Sequence, residues 1–121
     1  MALELKIKLD NRIIKKIMLN ARKTIDGNII VRDHPDIDIF VIPAKNKVVC
    51  MPKNEIDDEV YDSQKRLFKC LTRKGVIDFS SIQSGSTFMS MEATIPKADS
   101  GDPIQFVLFA IADFCESYTS S

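Results

Sequence analysis

The sequence is short of the residues that usually carry chemistry. It holds a single histidine, His34, so any site that needs two imidazoles is excluded. Its three cysteines, Cys50, Cys70 and Cys115, are odd in number, lie far apart and match no zinc or redox spacing. Reduced, buried thiols in a cytoplasmic protein are therefore the expectation. No Walker A loop, G-x-G-x-x-G fingerprint or G-x-S-x-G elbow is present, and Ser80, Ser81, Ser84 and Ser86 read as turn chemistry. The apolar run from Phe106 to Ala112 is far too short to span a bilayer. An N-terminus that alternates charge with apolar residues offers no signal-peptide core. Neither a cofactor, a metal nor a membrane is expected.

The chain also lacks net charge: 17 basic residues balance 17 acidic ones. The zero hides a gradient. Residues 1–25 hold seven Lys and Arg against Glu4 and Asp10, whereas residues 26–63 hold four against nine acids. Such asymmetry marks a charged partner or one end of the molecule attracting another. A length of 121 residues, 45% hydrophobic and 28% charged, describes one globular domain over residues 1–121.

Leu3, Leu5, Ile7 and Leu9 alternate with Glu4, Lys6 and Lys8, which predicts a half-buried strand. Asp10 or Asn11 then caps a helix to about Ile25, with Ile13, Ile14, Ile17, Met18, Ala21 and Ile25 as its apolar stripe. Gly27 suits the left-handed position that ends such a helix. Residues 29–52 read as two or three short strands in a meander, punctuated by Asp33-His34-Pro35-Asp36 and Pro43-Ala44-Lys45-Asn46. A second helix opens at Asn54, with acids in its first turn and Lys69, Arg73 and Lys74 before Gly75, the arrangement a helix dipole favours. Val76 to Ile82 and Thr87 to Ile95 read as a hairpin, with Met89, Met91, Ala93 and Ile95 as its inner face. The order β-α-β-β-β-α-β-β-α predicts an α+β fold. Its mainly antiparallel sheet of five to six strands should carry three helices, packed mostly on one face.

The last helix is the most informative. Asp102 at the N-cap and Pro103 at the first position start it. Ile104, Val107, Leu108, Ile111, Phe114, Cys115 and Tyr118 form an ordinary core face. The opposite face carries Gln105, Asp113 and Glu116, together with Phe106 and Phe109. Two large aromatics there imply a second covering surface, from this chain or another copy. The resulting expectation is a non-catalytic assembly or interaction module, homodimeric through Phe106, Phe109, Asp113 and Gln105.

Two other clusters carry weaker expectations. Arg12, Lys15, Lys16, Arg22 and Lys23 share one side of the first helix with no acid between them, as an anion or nucleic-acid binder would need. That helix has no aromatic for stacking bases. Asp33, His34, Asp36 and Asp38 place one imidazole among three carboxylates, a set that serves divalent-metal binding, acid–base chemistry or simply a polar hairpin turn.

Overall fold

Strings of β-branched residues separated by turn formers build most of the sheet. The computed structural model describes residues 21–54, 58–85, 89–97 and 102–119, and the side chains of all of these but 21–23 and 116–119. Strands β1 (Ala21–Lys23), β2 (Ile29–Val31), β3 (Ile37–Ile42) and β4 (Lys47–Pro52) run as an antiparallel meander. On β3 the burial alternates strictly: Ile37, Ile39 and Val41 are buried, while Asp38, Phe40 and Ile42 are half-buried on the other face. Asn46, in the left-handed region at φ 51°, closes a short 3-10 turn over Pro43–Lys45 and reverses the chain into β4.

Helix α1 (Asp58–Arg73) follows. Its end is a Schellman motif: Val76 N–H donates to the Leu71 carbonyl at 3.1 Å and Gly75 N–H to that of Thr72 at 2.9 Å. Gly75 supplies the required positive φ of 72°. A 3-10 turn at Phe79–Ser81 leads into the two-residue strand β5 (Gln83–Ser84), β6 (Met91–Thr94) and helix α2 (Pro103–Thr119). The Asp102 carboxylate accepts from Ile104 N–H at 2.9 Å, as expected of that cap.

The sheet order is β1-β2-β3-β4-β6-β5, antiparallel throughout: five strands of three or more residues and the short β5 at one edge. The architecture is α+β. One core joins Ile37, Ile39, Val48 and Cys50 of the sheet with Leu67 and Leu71 of α1 and Val107 and Ile111 of α2.

Two sequence expectations are corrected. The first helix does not reach Ile25, because Ala21–Lys23 is a strand paired with β2. Gly27 has the expected positive φ of 85°, but in the hairpin between β1 and β2, where its N–H donates to the Thr24 carbonyl at 3.0 Å. A Gly after Asp serves a helix stop and a hairpin turn equally well. Ile25, assigned to an apolar stripe, is fully exposed at that tip. Of the three helices expected, two are present among the described residues. The strand at Leu3–Leu9 and the helix from Asp10 to Asn20 lie outside them, as does the cap region at 55–57.

The second correction concerns the last hairpin, in which no strand runs from Val76 to Ile82: the 3-10 turn at Phe79–Ser81 occupies that stretch, and the strand is only Gln83–Ser84. Met89 has φ 55° and is exposed, so the strand starts only at Met91. Ser90 and Glu92, which alternate with the expected inner face in the sequence, are buried as well. Glu92 is satisfied by Lys47 Nζ at 3.0 Å and Gln83 Nε2 at 3.1 Å, and these bonds hold its pKa below the ordinary carboxylate value.

Candidate functional site

Helix α2 is covered around most of its circumference, since Val107, Leu108, Ala110, Ile111, Phe114 and Cys115 are all buried. Only a narrow arc faces out. Phe106 and Asp113 are exposed, Phe106 by 41%, and Phe109 is half-buried beside them. Three of the four expected interface residues therefore share one face. Gln105 does not: it is 6% exposed, on the edge of the wide buried arc. It lies about 40° round the helix from Phe109, on the side toward half-buried Ala112, at the edge where the covered arc begins.

A cleft of about 300 Å³ runs along this arc, lined among others by Pro96, Lys97, Phe106, Phe109 and Asp113. Val76, just after the α1 Schellman turn, forms the opposite wall. The chain thus covers Phe109 in part and leaves Phe106 more open. Lys74 Nζ lies 2.8 Å from the Asp113 carboxylate, and that hydrogen bond raises the lysine pKa. Both partners are well exposed, so the pair adds little stability.

The acidic turn is built around its histidine. His34 is 1% exposed and stacks on Phe114 with ring centroids 5.5 Å apart and planes 12° from parallel. Its Nδ1 accepts from Asp36 N–H at 3.0 Å, which assigns the ring proton to Nε2. Asp36 accepts from Ser63 Oγ at 3.3 Å, and Asp38 pairs with Lys53 at 2.7 Å. Lys53 also donates to the Arg32 carbonyl at 3.2 Å. The imidazole and Asp36 thereby hold the turn against α2 and α1, and Asp38 ties it to Lys53 after β4. Among the described residues no group of three His, Cys, Asp or Glu side chains is arranged to hold a metal ion.

Of the expected anion-binding residues, Arg12, Lys15 and Lys16 lie outside the described residues. Arg22 and Lys23 lie on β1, so the helical spacing that joined them to the other three is lost. A different basic surface is present. On α1, Lys65, Lys69 and Arg73 recur every fourth residue along a groove of about 500 Å³, whose rim includes Phe79, 72% exposed. Sequence reasoning missed it because a helix dipole accounts for terminal bases unaided, and a Phe between Ile77 and Ile82 reads as core.

Cys50 and Cys115 are buried thiols, as the sequence predicts, whereas Cys70 is only half-buried. Burial raises the Cys50 pKa and pushes that of Cys115 up to about 12, while Cys70 is half-buried with a smaller rise. A neutral-pH thiol reagent should therefore modify Cys70 first in the native protein, and all three cysteines in guanidinium. Equal rates for the three in native buffer would show that the core opens freely. No helix among the described residues is long and apolar enough to cross a membrane. Comparison with protein-family models, curated proteins and solved structures found no match.

Proposed function

We propose that the protein is a non-catalytic assembly module whose chains pair through the outer face of α2. The observation that carries this reading is Phe106, a large aromatic held 41% exposed beside Asp113 on the outer arc of α2 and continuous with the cleft beside Phe109. A twofold interface sets one patch against itself, so the patch has to be self-complementary. This one has an aromatic centre and a rim of both signs, with Lys74 and Lys97 near Asp113. Lys97 of one copy is free to face Asp113 of the other. A stable interface takes about 800 Å² from each partner, so the Gly75–Val76 turn and the Pro96–Lys97 segment would join the two rings.

Light scattering across a dilution series tests the reading. The wild-type chain should give twice its 13.7 kDa mass, with little dependence on salt. Phe106→Asp should be a folded monomer, because losing a central aromatic anchor costs about 2 kcal/mol or more, a weakening of roughly 30-fold. A wild-type monomer throughout the series, or a variant that pairs as well as wild type, would remove the proposal.

A further inference from the structure

A second groove, with no residue of α2 in its lining, is shaped for a partner of different chemistry. Between α1 and β6 lies the groove of about 500 Å³ noted above, floored by Phe68, Thr72, Ile82 and Met91. Lys65, Lys69 and Arg73 line its helical side. Residues four apart on a helix are about 6 Å apart along its axis, so the three cations form a stripe about 12 Å long. Lys65 is partly engaged, at 3.4 Å from Asp62 and 4.5 Å above the Tyr61 ring. No carboxylate among the described residues pairs with Lys69 or Arg73.

The rim opposite is a phenylalanine that cannot easily turn inward. Phe79 opens the 3-10 turn, and that turn is tied on both sides. Asp78 Oδ1 accepts from Ser80 N–H at 3.0 Å and Ser80 Oγ at 2.7 Å. Ser81 Oγ donates to the Asp78 carbonyl at 2.6 Å and accepts from Thr94 N–H at 2.7 Å, and Asp78 N–H donates to the Thr94 carbonyl at 2.9 Å. The ring is thus presented at 72% exposure by backbone already fixed to β6. A surface that needs no ordering on binding saves part of the entropic cost of association.

We infer that this groove docks an acidic peptide segment of another protein, with apolar side chains entering beside Phe79 and carboxylates meeting Lys65, Lys69 and Arg73. Charge complementarity names the partner's sign, and the floor names the rest. Phe68, Ile82 and Met91 are apolar and Met91 adapts its shape readily, so the floor suits aliphatic or aromatic anchors. A single strand of nucleic acid would use the same cations and the Phe79 ring, but it fits less well. Three cations release few counterions, the chain as a whole carries no net positive charge, and the floor offers base edges little to bond.

The test is a selection from a displayed library of random 16-residue peptides on the intact chain, followed by fluorescence anisotropy with synthetic copies of the winners. The expected winners combine excess Asp and Glu with Leu, Phe or Trp. Their binding should fall at least about tenfold in Phe79→Ser, and again in the separate Lys69→Glu/Arg73→Glu double variant. Phe106→Asp should bind them unchanged, and Phe79→Ser should keep the oligomeric state of wild type, which separates this groove from the α2 face. Both groove variants alter exposed side chains, and thermal melts would confirm that they fold. Winners without an acidic bias, winners that bind both groove variants as wild type does, or no winners would overturn the inference. So would displacement of the winners by an equal concentration of a 20-nucleotide oligo-dT, which would make the surface a single-strand platform.

Discussion

Replacing Gln64 by leucine is expected to lower the unfolding free energy by about 3 kcal/mol, although the two side chains have similar size. Gln64 is 1% exposed in the middle of α1. Its Nε2 donates to the Met89 carbonyl at 2.9 Å and to the Cys50 carbonyl at 3.3 Å. One amide therefore ties the helix to β4 and to the turn before β6, where Met89 sits at φ 55°. Two acceptors around one nitrogen also fix which way the amide points. Leucine would leave both carbonyls without that donor in a place water reaches poorly. The stability lost by stranding them outweighs what the apolar side chain gains by burial. Urea unfolding followed by circular dichroism measures the difference, and a loss below about 0.5 kcal/mol would mean that the amide is incidental. Gln64→Glu supplies a directional check. A buried carboxylate facing two carbonyls has its pKa raised, and only its protonated form donates. That variant should be least stable at high pH and recover as pH falls through its folded-state pKa.

The same amide shows which parts of this fold were legible in the sequence. Strands β2, β3 and β4 could be read directly, because alternation and turn residues act over a few positions and agree with each other. The end of α1 could be read from Gly75 for the same reason. Polar residues inside the core could not. Gln64, Ser90, Glu92 and Gln105 are buried because partners distant in the chain or a wide helical contact cover them, and nothing within a few residues announces it. Their polarity, and for Glu92 and Gln105 their place in the local period, points to the solvated side instead.

The surfaces divide along the same line. A period of 3.6 places Phe106 and Phe109 opposite the core of α2, and their outward placement follows from that helix alone. Phe79 sits in a stretch with no such period. Its exposure depends on the hydrogen bonds between Asp78, Ser81 and Thr94, which form only once β6 is in place. The bases on α1 were visible, but a helix dipole explained them without a partner. Only the groove beside them, with its apolar floor and exposed ring, separates a docking surface from a well-capped helix.

Mild acid, below pH 6.5 but above the range where carboxylates titrate, should weaken the fold through one residue. Burial lowers the His34 pKa from its ordinary 6.5; the nearby Asp36 carboxylate opposes that shift and the Lys53 ammonium adds to it. The unfolded chain therefore takes up a proton at a pH where the folded chain does not. The full contribution of neutral His34 is present above pH 6.5 and is lost as pH falls from there toward the folded-state pKa, with a slope of up to about 1.4 kcal/mol per pH unit. Protonation also removes Nδ1 as the acceptor for Asp36 N–H and places charge against the Phe114 ring, inside the joint between the turn and α2. Since His34 is the only histidine, a slope in this window belongs to it. His34→Phe keeps the stack on Phe114 but strands the Asp36 N–H, so it should cost about 1–3 kcal/mol at pH 8 and abolish the slope that sets in below pH 6.5. His34→Ala should lose the slope too and cost about 3–4 kcal/mol, because it empties the space beside Phe114. Urea midpoints at half-unit pH intervals for the three proteins decide it. If the His34→Phe variant kept the wild-type slope, the buried imidazole would not be the group that makes this fold sensitive to acid.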